Sequence, residues 1–344
     1  MSDRHPFVEL FLARLREFAR EPEVIFWVFG FPILLAVGLG IAFRNKPPDE
    51  IVVGVVDASG FEDTLRALPP AAGFRAERVS ESEGVQRLRL GKVAIVVVPG
   101  SPVEYRFDAT RPESVFARQR VDDALQRAAG RADLLPVREK LSTEPGARYI
   151  DFLIPGLLGM NIMSGGMWGV GFVIVEMRSR KLLKRLIATP MRRGHFLGAM
   201  MASRMLMVFG EMILLLAFGW LVFGMVVQGP IWIIALLSLL GAFVFSGLGL
   251  LVASRARKIE TVSGLMNLVM LPMFVLSGIF FSADRFPAAV QPFVKALPLT
   301  ALNDALRAVI LEGADLSSQW ARLLLLAGWG AVSFLLALRV FRWT

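Results

Sequence analysis

Long apolar stretches recur along this chain, separated by shorter polar stretches that are mostly basic. Six of them reach the roughly 20 residues that a helix needs to cross the hydrocarbon core of a bilayer. The first is too long for a cleavable signal peptide, and no small-x-small cleavage site follows it. We expect Pro272 to break the fifth. The pattern predicts six transmembrane helices, at 24–43, 150–175, 196–227, 231–253, 261–281 and 320–340.

Residues 45–148 are different, because they are polar and contain no run that could span a membrane. Apolar runs typical of buried strands alternate there with helical patterns. The predicted order is β-α-β-α-β-β-α, with strands at Ile51–Asp57, Phe74–Val79, Val93–Val98 and Val103–Phe107, and helices at Phe61–Leu68, from the Ser80 cap through Leu90, and at Pro112–Ala129. The fold class predicted is therefore an α-helical polytopic membrane protein with an inserted α/β extracytoplasmic domain between helices 1 and 2.

Two further segments carry apolar residues without spanning. Residues 1–22 hold an amphipathic helix with Phe7, Leu10 and Phe11 on one face, which we expect to lie at the membrane interface. Residues 282–319 contain two apolar stretches interrupted by prolines, each too short to cross a bilayer. They predict re-entrant or interfacial helices, which a membrane tolerates only where they pack against protein or line a cavity.

Charge gives these segments an orientation. Hydrophobic residues make up 55% of the chain and charged residues only 19%, and most of the basic excess behind the net charge of +9 flanks apolar segments. Basic residues accumulate on the cytoplasmic side, so both termini are predicted to be cytoplasmic and residues 45–148 extracytoplasmic. This placement indicates a plasma (bacterial inner) membrane protein whose cations meet the lipid bilayer, and nucleic acid is not an expected partner.

The densest basic cluster lies in the loop 176–195. Within Glu176–Pro190, leucines and an isoleucine recur at helical spacing and basic residues take most of the other positions. This pattern is typical of an amphipathic helix at an interface. We expect this helix to receive the force of another protein, an ATPase, and to pass it to the membrane helices on either side.

No catalytic motif is present. The chain has no GxxxxGK[ST] phosphate loop, no HExxH and no GxSxG. It also has no cysteine, and His5 and His195 cannot form a zinc motif on one helix. The chain is therefore not expected to be an enzyme or to bind a cofactor or metal.

A few polar residues inside apolar segments are candidates for function. Glu211 either faces a translocation path or pairs with Arg204, and both alternatives stay open. Asn161 and Asn267 are expected to make interhelical hydrogen bonds, and Asp304 to pair with Arg307. Gly165 and Gly169 have GxxxG spacing, which allows close approach of a helix within the chain or from another subunit.

Several stretches together resemble one family. These are IPGLLG at Ile154–Gly159, RSRKLLKRLIATP at Arg178–Pro190, VLSGIFFS at Val275–Ser282 and LPLTALNDALRAVILEG at Leu297–Gly313. In this order and spacing the chain is similar to the permease subunits of ATP-binding-cassette exporters of the ABC-2 type that have a large extracytoplasmic domain after the first helix. The resemblance places the permease core at about 150–342.

The resemblance implies partners and a site. It implies a dimer with a second permease subunit, cytoplasmic ABC ATPase subunits that hold ATP and magnesium, and a periplasmic adaptor as a further candidate partner. The residues expected to couple to the ATPase are Glu176, Arg178, Leu182, Leu183, Arg185, Leu186, Thr189 and Pro190. The loop departs from the family pattern ERERGTLERLLATP, because Lys181-Leu182 replaces the Gly-Thr pair and basic or neutral residues replace the acidic positions.

Two other functions remain open at the level of sequence. A membrane receptor or scaffold would use the outer domain to sense a ligand and the basic loop to bind anionic lipid. An ion-coupled transporter would use Glu211. That function predicts more buried carboxylates than the chain contains and an internal hydropathy repeat, which the chain lacks. The transported substrate is not readable from the sequence.

Overall fold

The computed structural model describes residues 5–43, 50–132, 135, 146, 148–187 and 193–340. Its contacts divide the chain into two compact units. A helical unit comprises Met1–Arg44 and Thr143–Thr344, and an inserted unit comprises Asn45–Ser142.

The helical unit begins with two helices in succession. Helix α1 (Pro6–Arg20) has a proline in its first turn, and the side chain of His5 caps it by accepting from the Phe7 amide. Pro22 then opens the first apolar span, TM1 (Pro22–Ala42), which contains a π-helical turn at Phe26–Gly30.

The inserted unit has the predicted order of strands and helices, with each boundary within two residues of the prediction. The elements are β1 (Ile51–Val56), α2 (Phe61–Ala67), β2 (Phe74–Val79), α3 (Glu81–Arg89), β3 (Ile95–Val98), β4 (Glu104–Arg106) and α4 (Pro112–Ala128). The strand order is β2-β1-β3-β4. Strand β1 pairs in parallel with β2 and β3, and β4 closes the edge antiparallel to β3.

Both faces of this sheet are covered by apolar side chains. On one face, Val53 and Ile95 pack with Phe61 and Val121 from the helices. On the other, Val56, Val79 and Val96 form a second, smaller cluster with Leu88. This burial explains why β1 reads as a continuous apolar run, as parallel strands covered on both faces do.

The rest of the chain is helical. It comprises TM2 (Tyr149–Ser179), α5 (Leu182–Ile187), TM3 (Arg193–Phe223), TM4 (Ile231–Ala253), TM5 (Ile259–Leu276), α6 (Gln291–Ala296), α7 (Pro298–Glu312) and TM6 (Trp320–Val340). Together with TM1, six helices in the described residues are long and apolar enough to cross a membrane. The predicted fold, six membrane-length helices with an inserted α/β domain between the first two, is confirmed, and the side of the membrane on which that domain lies stays a prediction.

The structure differs from the prediction at the end of TM3 and inside TM5. TM3 ends at Phe223 rather than at residue 227, because Gly224 takes a left-handed conformation with φ of 60°. TM5 is not broken at Pro272, since the helix runs through that residue and ends at Leu276. Helices within membranes accept proline where neighbouring groups satisfy the freed carbonyl.

Helix α7 is the most buried of the short helices. Leu299, Leu302 and Leu306 have essentially no exposed surface, and the helix packs against TM2, TM4 and TM6. The apolar stretch predicted as re-entrant or interfacial is therefore a helix enclosed by protein.

Glycines set the distance between TM2 and TM4, but at other positions than the predicted pair. A Cβ added at Gly171 would lie 2.4 Å from the Gly249 carbonyl oxygen, and one added at Gly166 would lie 2.6 Å from Phe245. Gly165 instead faces Arg204, and a Cβ at Gly169 would meet nothing within 4 Å. Of the predicted pair, Gly165 therefore packs against TM3, and only Gly169 has no close neighbour within the described chain.

Candidate functional site

The predicted coupling segment lies where TM2 ends and TM3 begins, at what we call the loop end of the helical unit. The single amphipathic helix predicted for Glu176–Pro190 is interrupted. TM2 continues to Ser179, the chain turns at Arg180 and Lys181, and α5 follows. Lys181 has a φ of 58°, a left-handed conformation that favours glycine. The family pattern quoted above has its glycine at this position.

The residues predicted to couple to the ATPase divide into anchors and exposed groups. Leu183 is only 1% exposed and packs with Ile174, Phe196 and Met200. It holds α5 onto TM2 and TM3 and does not present its side chain to a partner. Arg185 is exposed and Leu182 is half-buried. Thr189, Pro190 and the side chain of Leu186 lie outside the described residues.

Arg178 points back into the protein. Its guanidinium donates to the carbonyls of Ala253, at 2.8 Å, and of Ser254 and Ala256. These carbonyls end TM4 and begin the turn to TM5, where a cation is favoured by the helix dipole. Glu176 forms an ion pair of 2.7 Å with Arg180 one helical turn later. Arg178 thus ties the coupling segment to the TM4–TM5 turn, a role that the sequence pattern did not predict.

A buried ion pair lies deeper in TM3. Arg204 and Glu211 are 5% and 1% exposed, and two hydrogen bonds join the guanidinium to the carboxylate, the second at 3.1 Å. Arg204 also donates to the carbonyls of Asn161 and Ile162 on TM2, at 3.3 and 3.4 Å. Of the two alternatives for Glu211, the structure contains the pair with Arg204.

Gly165 makes room for this pair. A Cβ at Gly165 would lie 2.1 Å from the central carbon of the Arg204 guanidinium. The Asn161 side chain extends the network by donating to the Val28 carbonyl, at 2.8 Å, within the π-helical turn of TM1. The interhelical hydrogen bond predicted for Asn161 is confirmed, and TM1, TM2 and TM3 are joined by one polar network.

A cavity of about 680 Å³ lies beside this network, between α1, TM1, TM2, TM3 and TM5. Arg204 belongs to its wall, whereas its partner Glu211 does not line the cavity. Asn267 also lines it, and its side chain makes no hydrogen bond within the described residues, so the interhelical bond predicted for it is not observed there. Ten of the 24 lining residues are aromatic residues or methionines: Phe18, Trp27, Phe31, Met160, Trp168, Phe172, Met200, Met207, Met270 and Phe274. Charged residues also line it: Arg14, Glu17, Glu21 and Glu176. A cavity of this size and lining suits a small organic molecule.

At the opposite end of the helical unit, arginines tie helix ends together. Arg307 of α7 donates to the Phe152 carbonyl at 3.2 Å and to the carbonyls of Gly278 and Ile279, and its guanidinium lies 3.6 Å from the Phe152 ring centroid. Its distance to Asp304 is 4.0 Å, so the predicted pair is formed at the limit of an ion pair. These contacts fix α7 against the ends of TM2 and TM5.

Arg148 makes a similar link at the start of TM2. It donates to the Asp151 carboxylate at 2.8 and 2.9 Å and to the Phe223 carbonyl at 2.6 Å. The hydrogen bond to Asp151 holds the pKa of Arg148 above its usual value. Within the described residues, no group of three or more His, Cys, Asp or Glu side chains could hold a metal ion.

Six membrane-length helices, a cavity among them and an anchored loop segment define a polytopic membrane permease. The family model described as ABC-2 family transporter protein matches residues 22–339. The chain therefore belongs to the ABC-2 transporter family, as the motifs in the sequence indicated.

Relatives with curated names agree with this assignment. The chain is 28% identical over 193 residues to ABC transporter G family member 20 of Dictyostelium discoideum, covering 54% of this chain and 26% of that protein. It is 27% identical over 177 residues to the inner membrane transport permease YhhJ of Escherichia coli, covering 51% of this chain and 47% of YhhJ. It is 21% identical over 328 residues to the probable multidrug ABC transporter permease YbhS of the same species, covering 87% of this chain and 86% of YbhS. The match thus spans less than half of the first two relatives.

Proposed function

We propose that this membrane permease subunit belongs to an ATP-driven exporter in which separate ATPase chains dock at the loop end. The observation that carries the proposal is the construction of α5. Leu183 and Arg178 fix the segment to the helical unit, while Arg180, Lys184 and Arg185 remain exposed. An element that is anchored on one side and charged on the other can receive force and pass it to TM2 and TM3.

The path of that force leads to the cavity. TM2 and TM3, which flank α5, also carry Asn161 and Arg204 in the cavity wall. A shift of α5 that depends on the nucleotide state of the partner would bias the arrangement of this wall, which is a population shift driven by binding to another chain. The sequence has no phosphate loop, so ATP and magnesium would be held by the ATPase.

The cargo proposed is a small organic molecule. The aromatic and methionine lining of the cavity supports this class, because such side chains adapt to varied apolar shapes. The name of YbhS, a probable multidrug ABC transporter permease, also supports a small organic cargo. A second permease subunit would complete the path, and a periplasmic adaptor remains a candidate partner.

Co-purification tests the docking. The full chain would be expressed with ABC ATPases of its own genome, with Lys184→Glu and Arg185→Glu combined in one variant. Exposed ion pairs contribute up to about 1 kcal/mol each, and charge reversal replaces attraction with repulsion of similar size, so the double variant is expected to weaken ATPase binding about tenfold. A matched control combines Arg89→Glu and Lys92→Glu, which are exposed in the inserted unit. Unchanged ATPase binding by the loop variant would refute docking at α5.

A further inference from the structure

We propose that the outer edge of strand β2 binds the same strand of a second copy of this chain, so that two inserted units share one sheet. Strand β2 lies at one end of the four-stranded sheet, and within the described residues no strand pairs with its outer side. It is six residues long and pairs with β1 without a bulge. An open edge strand of this kind is a template for pairing with another chain.

The outer edge of β2 presents backbone groups that no neighbouring strand engages. On the inner side, the carbonyls of Gly73 and Val79 accept from amides of β1 and of the residue that follows it, at 2.8 and 3.2 Å. Successive residues of a strand direct their amide and carbonyl to opposite sides, so the odd-numbered residues of β2 face β1. Phe74, Ala76 and Arg78 therefore direct three amides and three carbonyls outward.

The charges of β2 select one register for a symmetric pairing. With a two-fold axis at Ala76, the two copies of Ala76 exchange amide–carbonyl hydrogen bonds in an antiparallel ladder. Arg75 of each copy then lies opposite Glu77 of the other. Moving the axis by one residue would oppose two copies of Arg75 or two of Glu77, which is destabilising. Moving it by two residues would shorten the paired stretch.

The partners of these two residues within one copy extend the match. Arg75 pairs with Glu50 at 2.7 Å, and Glu77 pairs with Arg87 at 2.6 Å. Across the proposed interface, each row would run from Glu50 and Arg75 of one copy to Glu77 and Arg87 of the other, with alternating sign. The sequence of β2 is thus complementary to itself about a two-fold axis, which favours a second copy over an unrelated strand.

The other edge of the sheet is protected from such pairing. Strand β4 is only three residues long, and Arg106 within it forms ion pairs of 2.7 Å with Glu104 and Glu81. Short edge strands that carry charged side chains are a common defence against pairing with another chain. The two edges therefore differ, and β2 is the edge that can accept a strand.

Disulfide trapping in membranes that contain the full chain tests the pairing. The chain has no cysteine, so each added thiol is single. Directly opposite residues of a non-hydrogen-bonded pair have Cα atoms about 4.5 Å apart, within reach of a disulfide, whereas diagonal neighbours are about 7–8 Å apart. One tagged chain carries Arg75→Cys, and a second chain with a different tag carries Glu77→Cys. Both are oxidised with copper phenanthroline, separately and together.

We expect the mixture to form the mixed disulfide dimer at least tenfold faster than either variant forms a dimer alone. Arg89→Cys, which is exposed in the same unit, serves as the control for random collision and should be as slow as the single variants. Equal rates in all samples, or no product in the mixture, would refute the inference. A faster product from Arg75→Cys alone would place the axis at that residue and refute the register.

A proline at the axis gives a second readout. Ala76→Pro removes the outward amide at the centre of the pairing and leaves the ladder with β1 intact, since an edge strand accepts proline where its N–H faces outward. Added to both cysteine variants, it is expected to slow the mixed disulfide at least tenfold, whereas Ala76→Ser, which keeps the amide, should not. Melting temperature shows whether each variant is folded.

Unchanged trapping with Ala76→Pro in a folded chain would overturn the inference. The pairing does not rest on docking of an ATPase at the loop end, and ATPase binding by the same variants is expected to be unchanged. Failure of the strand pairing is therefore distinguishable from failure of the proposed function.

Discussion

At the scale of single residues, the buried pair of Arg204 and Glu211 depends on having a glycine at position 165. Two charges in an apolar interior are stable only when their geometry is good and their remaining hydrogen bonds are made. The two terminal nitrogens of Arg204 meet this condition, since one of them also donates to two carbonyls of TM2, which it reaches across the bare surface of Gly165, whereas its Nε has no partner within the described residues. The pair thus fixes the position of TM3 against TM2 beside the cavity.

Gly165→Ala is therefore expected to disrupt the pair, because the new Cβ would lie 2.1 Å from the guanidinium carbon. Breaking a buried pair costs about 3–5 kcal/mol, so the free energy of unfolding in detergent should fall by about 3 kcal/mol. Gly169→Ala on the same helix is the matched control, since nothing lies within 4 Å of its Cβ and alanine favours helix by about 0.5–1 kcal/mol. Equal loss of stability in both variants would contradict this account.

At the scale of elements, the break between TM2 and α5 depends on one strained residue. A left-handed conformation costs a non-glycine residue about 1–2 kcal/mol, and Lys181 adopts it with a φ of 58°. Lys181→Gly removes that strain but adds freedom to the unfolded chain, so we expect a net stabilisation of up to about 1 kcal/mol. Lys184→Gly, inside α5, should instead destabilise by about 1 kcal/mol. Denaturant unfolding measures both, and a loss of stability in Lys181→Gly would show that the turn needs lysine.

The same element shows what sequence patterns can and cannot predict. Apolar length gives the six spans, and short apolar runs that alternate with helical patterns give the inserted sheet, because both follow from local burial. The spacing of Leu182, Leu183 and Leu186 predicted a helix, but it did not show that Leu183 faces inward. Nor did any local pattern reveal that Arg178 binds carbonyls about 75 residues away. Contacts between distant elements depend on packing, on which a single sequence carries little information.

At the scale of the whole molecule, the two units have separate hydrophobic cores. The cluster of Val53, Ile95 and Val121 in the inserted unit shares no residue with the core of the helical unit. The insertion also falls between TM1 and TM2, so it lies on one side of any membrane that these helices cross. Its side is set by the basic residues of the loop end, which favour the cytoplasm. We therefore propose that the inserted unit is extracytoplasmic.

Labelling with a membrane-impermeant maleimide tests this orientation directly, because the chain without added cysteines gives no background. Ser101, in the inserted unit, and Arg185, in α5, are both exposed. In intact cells the reagent is expected to label Ser101→Cys and to spare Arg185→Cys, and after permeabilisation it should label both. The second condition shows that protection came from the membrane and not from burial. The reverse pattern in intact cells would place the loop end outside, where no ATP is available to an ATPase, and would refute the proposed function.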